Sequence, residues 1–483
     1  MAIRRTKIVA TLGPATADPE ALERIIRAGV DVVRLNFSHG EASAHKQRAE
    51  TVREISRKLH RHVGVLVDLQ GPKIRIARFR DGKVFLKQGA PFTLDIDLPS
   101  NEGDETQVGI SYPTLPNEVK PGDVLMLDDG RVELGVDRVE GGRVFCHVRV
   151  GGDLSNNKGI NLQGGGLSAA ALTDKDKADI KTAAEIDADY VAVSFPRSAE
   201  DIHEARRLLQ EAGGNAGIVA KIERAEAIEE PVINQIIEAS DVIMVARGDL
   251  GVEIGDARLP SVQKDLIDRA RRMKRVVITA TQMMESMIHN PLPTRAEVCD
   301  VANAVFDGTD AVMLSAETAS GKYPDKAVEA MDRVCLEAEK HPRVRNAARQ
   351  GDEYFHYIDE AIAMATMYTA NHLNVTAIGA LTESGSTPLW MSRISSGIPI
   401  FALTSHEKTC RKVTLYRGVY PLAFYRDTSD HYILNRAVID EFLRRGLIES
   451  DEDLVILTKG DLTGVTGHTN AMKIVRVGDV RSS

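Results

Sequence analysis

Disulfide and zinc chemistry have little to draw on in this sequence. Its four cysteines, Cys146, Cys299, Cys335 and Cys410, are scattered and form no CxxC pair, so they read as reduced thiols of a cytoplasmic protein. No run approaches the ~20 apolar residues that a membrane span needs. The opening Met1-Ala-Ile-Arg-Arg-Thr-Lys7 is too poor in apolar residues for a secretory signal, because strand-like sequence begins at once. An excess of positive charge is also missing: the net charge is −9, which argues against a general nucleic-acid or membrane-surface binder. GxxxxGKS and GxxxxGKT are absent, and no GxGxxG stands between a strand and a helix. Any nucleotide must therefore be held by side chains and metal rather than by a glycine-rich cradle. Low-complexity stretches are absent, and so are internal repeats beyond a strand–helix rhythm. What remains is 43% hydrophobic and 27% charged, an ordinary soluble globular composition on a chain long enough for about three domains.

The strand–helix rhythm is the main structural signal. Short apolar runs at 6–12, 30–38, 63–69, 189–195, 217–223, 241–247, 275–281 and 309–315 alternate with stretches carrying apolar residues at helical spacing. Asp18-Pro19 followed by Leu22, Ile25 and Ile26 predicts a helix capped by aspartate with proline in its first turn. Ser198 followed by Ile202, Ala205, Leu208 and Leu209 predicts another. Eight strand–helix units imply a parallel sheet and match the count that closes a (β/α)8 TIM barrel.

One connection breaks the pattern. Between Leu69 and about Leu167 no helix is evident. Strand-like segments at 83–96, 123–136 and 143–150 are instead punctuated by Pro121-Gly122, Asp129-Gly130 and Gly141-Gly142, which are turn signals. They predict a small β domain inserted after the third strand, with Gly71-Pro72 and Gly164-Gly165-Gly166 at its junctions. An insertion there would overhang the C-terminal mouth of the barrel as a lid. From about 345 the rhythm resumes with a helix bearing Ile362, Met364, Met367 and Tyr368, then apolar runs at 375–381, 398–403, 419–424 and 454–458. The expected class is α/β: a (β/α)8 barrel from 1–70 and 168–344, an inserted β-rich lid from 71–167, and a C-terminal open α/β domain from 345–483.

Polar residues collect at the late ends of these strands. Lys221 alternates with Glu223, and Arg247 with Asp249; residues two apart on a strand share a face. If the two strands are parallel neighbours, one ammonium and two carboxylates converge. Arg34, Asn36 and Ser38 share a face on strand two ahead of His39-Gly40, and strand three runs from Asp68 into Gly71-Pro-Lys-Ile-Arg75. Strands seven and eight offer Thr279, Thr281, Ser315 and Glu317. This one-ended distribution predicts a catalytic mouth. Glu223 and Asp249 are hard oxygen donors without His or Cys neighbours, so they suit magnesium, with water and substrate oxygens completing its shell. Lys221 could also simply pair with Glu223 across the barrel top, or form a Schiff base. Arg34, Arg75 and Lys221 together point to an anionic, phosphorylated substrate. In the tail, Thr382-Glu-Ser-Gly-Ser-Thr387 ahead of Pro388 reads either as a phosphate site at a helix N-terminus or as a capped turn.

The runs Arg34-Leu-Asn-Phe-Ser-His-Gly40, Gly71-Pro-Lys-Ile-Arg75, Ala220-Lys-Ile-Glu223, Val245-Ala-Arg-Gly-Asp-Leu-Gly251, Ala280-Thr-Gln-Met-Met-Glu-Ser286 and Met313-Leu-Ser-Ala-Glu-Thr318 resemble those of the pyruvate kinase family, in its bacterial branch. They stand in the family's order over essentially the whole chain, with the family's inserted small β-barrel lid in its place. The resemblance implies transfer of a phosphoryl group from phosphoenolpyruvate to ADP, then protonation of the enolate to pyruvate. It implies that Lys221 stabilises the phosphoryl group in transit and that Arg34 contacts it. Glu223 and Asp249 would hold Mg²⁺, for which Mn²⁺ can substitute. Gly248, Asp249, Thr281, Ser315 and Glu317 would bind substrate, while Asn36, His39, Arg75 and Lys158 would face the nucleotide. A threonine hydroxyl is a poor acid, so a water chain near Thr281 is the expected proton route.

One departure from the family pattern stands out. Many members bind potassium through positions matching Asn36, Ser38, Asp68 and the residue after Asp68, with a hydroxyl at the last and Glu where this chain has Lys73. Here Leu69 lacks the hydroxyl and Lys73 brings a fixed positive charge, so K⁺ is expected to be dispensable, as in the family's potassium-independent members. The resemblance also makes Thr382, Ser384, Gly385, Ser386 and Thr387 an allosteric phosphate-binding loop for a sugar phosphate or AMP, and implies a homotetramer. Two rivals remain at this level: a magnesium-dependent keto-acid aldolase or lyase, which would need neither Lys158 nor a long lid, and a non-catalytic phosphometabolite sensor on a dead barrel.

Overall fold

The computed structural model describes residues 3–345, 355–425, 430–460 and 467–481. Eight strands lie inside the eight expected apolar runs: β1 (Lys7–Leu12), β2 (Val32–Asn36), β3 (Gly64–Asp68), β4 (Tyr190–Val193), β5 (Gly217–Ile222), β6 (Val242–Ala246), β7 (Val276–Ala280) and β8 (Ala311–Leu314). They close into a barrel in the order β1-β8-β7-β6-β5-β4-β3-β2, with all neighbouring pairs parallel. β1, β3, β6 and β7 are buried at every residue, which is why they read as unbroken apolar runs: interior side chains face one way and the helical ring covers the other. The first helix, α1 (Pro19–Ala28), starts where the Asp18 carboxylate accepts the Ala21 N–H at 3.1 Å and buries Leu22, Ile25 and Ile26. Each such aliphatic chain withdrawn from water contributes roughly 1.5–3 kcal/mol. In α2 (Ala199–Glu211) Ile202, Ala205 and Leu209 are buried.

The chain leaves the barrel after β3 and builds a unit with its own core, centred on Phe92, Leu94, Leu125, Leu134, Val144 and Val148. A six-stranded curled sheet runs in the order Ile160–Leu162, Val124–Leu127, Val132–Glu140, Arg143–Val150, Pro91–Asp95, Gln107–Gly109, beside a two-stranded ribbon of Lys83–Leu86 with Gly152–Ser155. The expected run 83–96 is two strands, separated where Gly89 takes φ +82°. Run 123–136 is likewise split at Asp128, Asp129 and Gly130, with φ values of 50°, 57° and 82°. A left-handed turn cannot continue an extended strand. The stretch also holds one short helix, Leu115–Glu118, too brief to show an apolar period.

In the tail, β9 (Val375–Leu381), β10 (Ile400–Thr404), β11 (Val419–Ala423), β12 (Leu454–Lys459) and β13 (Ala471–Arg476) form one sheet in the order β11-β10-β9-β12-β13. Only β13 is antiparallel to its neighbour, and it is the strand that hydropathy missed, since only Val475 of its six residues is buried. On α3 (Ile358–His372) Met367 is buried and Tyr368 is 66% exposed, so the expected apolar face is only partly covered. Two buried aspartates fasten the tail to the barrel base. Asp310 receives the Arg393 guanidinium together with the N–H groups of Arg417 at 3.0 Å and Val277 at 2.9 Å. Asp189 receives Arg411 Nε at 2.9 Å and the Val65 N–H at 2.8 Å. Among the described residues no helix is long and apolar enough to cross a membrane, and all four cysteines are free thiols.

Candidate functional site

The strand ends bring the predicted charges together around Asp68. Asp68 closes β3 at 1% exposure. Arg34, on β2, gives its Nε to Asp68 Oδ2 at 2.6 Å and an Nη1 proton to Thr11 Oγ1 at 3.0 Å. Lys221, on β5, sets its Nζ 3.3 Å from Asp68 Oδ1, 2.9 Å from Glu223 Oε1 and 2.7 Å from Ser194 Oγ. Glu223 follows β5 directly, and its second oxygen accepts the Phe195 N–H at 2.7 Å. Burial works against the charge on Lys221, but Asp68 and Glu223 overcome it and hold its pKa above the usual lysine value. Burial likewise opposes ionisation of Asp68, which Lys221 and Arg34 nevertheless keep below the usual carboxylate range. Glu223 is less well compensated: burial, with Asp249 adding repulsion, pushes its carboxyl up to about 7 against the pull of Lys221. Asp249 is also raised, first by burial, while Lys221 and Lys73 pull it down. One buried and one part-buried carboxylate short of positive charge are what a divalent cation would relieve.

Arg247 and Asp249, expected to alternate on a strand, do not. β6 ends at Ala246 and both residues lie in the next helix, Arg247–Ile254. Asp249 therefore reaches the mouth from a helical first turn, where backbone N–H groups favour a carboxylate. Arg247 turns away, to the carbonyls of Ala280 at 3.1 Å and Thr281 at 2.6 Å and to Asp300 at 2.7 Å. Thr279 and Thr281 do not share a role either. Thr279 is fully buried against Thr309 Oγ1 at 3.0 Å. Thr281 lies one residue past β7 at φ +67°, a strained conformation for a β-branched residue. Its hydroxyl accepts the Gly248 N–H at 2.9 Å and donates to Ala280 O at 2.7 Å. Strand eight stops at Leu314; Ser315 opens the short helix Ala316–Ala319, and Glu317 inside it accepts the N–H groups of Ser315 at 2.7 Å and Met284 at 3.1 Å. Gly248, Asp249, Thr281, Ser315 and Glu317 line one cavity of ≈ 700 Å³.

A second cavity, of ≈ 280 Å³, separates the inserted unit from the barrel mouth, and His39, Lys73, Arg75, Lys158 and Asp249 line it. Lys158 pairs with Asp128 at 2.7 Å, and Arg75 Nη1 donates to Asn157 O at 2.9 Å. Asn36 Oδ1 accepts the Ser38 N–H at 3.1 Å and so shapes the loop after β2. Lys73 is exposed, and its charge is felt at Asp249. In the tail loop, Thr382 Oγ1 accepts the Gly385 N–H at 2.9 Å where Gly385 takes φ +84°. Ser384 and Ser386 share a hydrogen bond of 2.8 Å, and Thr387 pairs with Thr469 at 2.6 Å. Residues 461–466 of the neighbouring segment lie outside the described residues.

Three participants were not foreseen. Ser194 and Phe195 directly follow β4, which with β1 carries no expected site residue, though Ser194 is a polar residue closing an apolar run. Glu253, one helical turn beyond Asp249, is 7% exposed and accepts the Ala225 N–H at 2.8 Å, while its own carbonyl takes the N–H of Gly164, at the return from the inserted unit, at 2.9 Å. Among the described residues no group of three or more His, Cys, Asp and Glu could hold a metal by itself.

Residues 3–328 match the model for the pyruvate kinase barrel domain, and residues 360–475 the model for the pyruvate kinase alpha/beta domain. The chain is 59% identical over 477 residues to pyruvate kinase II of Salmonella typhimurium, covering 98% of this chain and 99% of that protein. It is 57% identical to a pyruvate kinase of Haemophilus influenzae over 95% and 96% of the two chains. With a pyruvate kinase of Sporosarcina psychrophila it shares 42% identity over 99% of this chain and 81% of the relative.

Glu253 supplies a pH test. Burial pushes its carboxyl from 4.5 up to about 7, with Glu226 adding to the rise and the Ala225 N–H and Arg224 opposing it. The folded protein thus holds this proton more tightly than the unfolded chain, so the associated stability is present below 4.5 and is lost as pH rises through about 7. Glu253→Gln keeps the acceptor for Ala225 and carries no charge. Its stability relative to wild type is expected to improve by about 3 kcal/mol across that window, read as the difference in urea midpoints at low and at neutral pH. A difference that does not change with pH would remove Glu253 as its source.

Proposed function

The chain belongs to the pyruvate kinase family, and on that premise we propose how its own residues divide the reaction. The enzyme is a phosphotransferase that moves the phosphoryl group of phosphoenolpyruvate to ADP, giving pyruvate and ATP. Such a transfer depends mostly on positioning and charge neutralisation. Lys221 meets the phosphoryl group in transit, and Arg34 contacts it from β2. The observation that carries this is the buried ammonium held among Ser194, Glu223 and Asp68 at 2.7, 2.9 and 3.3 Å, fixed in charge and direction before substrate arrives. Such a cation about 4 Å from a developing charge, at an effective dielectric near 20, contributes roughly 4 kcal/mol, on the order of a thousandfold in rate.

Glu223 and Asp249 fit Mg²⁺ by donor type and by their unmet negative charge; there it would neutralise the substrate's carboxylate and phosphoryl oxygens. Gly248 and Thr281 bind substrate, with Ser315 beside them and Glu317 bracing the wall of the same cavity. Thr281 has its hydroxyl engaged by Gly248 and Ala280, which supports delivery of the enolate proton through water. Asn36, His39, Arg75 and Lys158 hold the nucleotide phosphates, three of them lining the cavity beneath the inserted unit. This reading takes 1–70 and 168–344 as the catalytic barrel, 71–167 as a lid and 345–483 as a regulatory domain, in an enzyme of the cytoplasm.

Lys73 acts as the internal substitute for potassium near Asn36, Ser38 and Asp68. Its influence on Asp249 supports a fixed positive charge at the nucleotide side, since Asp68 already has Arg34 and Lys221 as partners. Thr382, Ser384, Gly385, Ser386 and Thr387 bind a phosphorylated effector, a sugar phosphate or AMP. The exposed edge strand β13, with Ile474 43% exposed, offers a surface for self-association, and the family resemblance makes the assembly a homotetramer, which sedimentation velocity would check.

ADP-dependent pyruvate formation, with and without Mg²⁺, tests the core of this reading. Lys221→Met is expected to keep the fold with reduced stability and to lose about a thousandfold in kcat; near-normal turnover would sink the assignment. Omitting K⁺ is expected to change activity less than about tenfold, i.e. ~1.4 kcal/mol, and a larger drop would remove Lys73 from its role. Ser384→Asp should abolish activation by phosphorylated effectors; full activation in that variant would move the effector site elsewhere.

A further inference from the structure

Lys221 has three N–H groups and three acceptors around it. The shortest of the three bonds goes to a neutral group, Ser194 Oγ at 2.7 Å, ahead of Glu223 Oε1 at 2.9 Å and Asp68 Oδ1 at 3.3 Å. Ser194 is 1% exposed and gives its own proton to the Leu69 carbonyl at 2.7 Å; Asp68 Oδ1, at 3.5 Å, is too far to compete. A hydroxyl that donates in this way becomes a better acceptor. Glu223 has one oxygen committed to the Phe195 N–H at 2.7 Å. Its other oxygen is the one Lys221 touches, so the ammonium would compete with a divalent cation for this carboxylate.

We propose that Ser194 is a positioning residue whose hydroxyl shares the Lys221 ammonium with Glu223, loosens its hold on that carboxylate and so keeps it available to the divalent cation. The inference rests on the reading of Glu223 and Asp249 as metal ligands. Ser194 and Phe195 work as a pair: one side chain receives the lysine and the next backbone N–H fixes the carboxylate. To face both, Phe195 takes φ +54°, where a bulky residue is strained. Ser194 is also held from behind. A Cβ added at Gly71, at the junction with the inserted unit, would lie 2.7 Å from Ser194 Cβ, so the backbone there packs directly on the serine. Without the hydroxyl one N–H of a buried ammonium loses its partner, and the lysine settles on the two carboxylates.

Binding of Mn²⁺ to the full-length protein, followed by the electron paramagnetic resonance signal of the free ion, reads this without turnover. Ser194→Ala is expected to weaken Mn²⁺ about tenfold and to lower kcat with KM for ADP unchanged. Ser194→Cys, similar in volume with a weak acceptor, should shift affinity in the same direction and guards against a folding defect in the alanine variant. In a Lys221→Met background the serine substitution should have no further effect on Mn²⁺, because the coupling runs through the lysine. Unchanged Mn²⁺ affinity in Ser194→Ala, or an equal loss with and without Lys221, would overturn the role. Glu223→Gln separates the two levels: if it retains full Mn²⁺ binding, the metal reading itself fails.

Discussion

The mouth of the barrel is organised by a carboxylate that has almost no water. Asp68 is 1% exposed, and a buried charge persists only when it is paired and hydrogen-bonded. Arg34 and Lys221 supply that pairing from the strands on either side of the β3–β4 seam, so the register of the barrel is also the register of the charges. Removing either cation would strand the other partners at a cost of about 3–5 kcal/mol. Counting the neighbours, Arg34 and Lys221 face Asp68, Glu223 and Asp249, leaving one negative charge in excess. Burial first, and that excess second, raise the carboxyls of Glu223 and Asp249. A divalent cation would reverse its sign and turn an acidic pocket into one that attracts an anionic substrate.

The base of the barrel carries a second set of buried charges, and these join the tail to the same strands. The helix Glu407–Lys412 touches both ends of the connection. Its Thr409 hydroxyl donates to the Glu383 carbonyl in the tail loop at 2.6 Å, and its Arg411 reaches Asp189 just ahead of β4 at 2.9 Å. Ser194, at the other end of that four-residue strand, receives Lys221. Asp189 also holds the Val65 N–H of β3, the strand that ends in Asp68. Two of the three acceptors around the lysine therefore stand on strands whose lower ends are fixed by one aspartate and one arginine of the tail.

Much of this was legible in the sequence, for a physical reason. Barrel strands buried on both faces leave continuous apolar runs, and charged residues are affordable only at their ends, so β1 to β8 and the pair Lys221–Glu223 announce themselves. The failures have equally definite causes. Arg247 and Asp249 look like alternating strand residues, but the helix begins at Arg247 with no intervening loop, so parity points the arginine into the mouth when it turns to β7. Thr281 sits at positive φ, which no threonine advertises. β13 has one buried residue and therefore no pattern. Ser194 carries no charge signal, as a lone hydroxyl; its meaning appears only beside Lys221.

Gly71 adopts φ +67° and meets the β carbon of Ser194 more closely than any side chain would permit. The inserted unit beyond it keeps its own apolar core, and on that ground it resembles a cassette that could be exchanged for one of different sequence and size. The exchange has a fixed terminal at each end: Gly165, at the return, takes φ +78° with the Glu226 carboxylate where a Cβ would lie, and Gly71 stands at the outset. A foreign cassette that brought even alanine to position 71 would displace the serine beneath the lysine before making any contact of its own, and the barrel would lose its chemistry through the seam rather than through the part replaced.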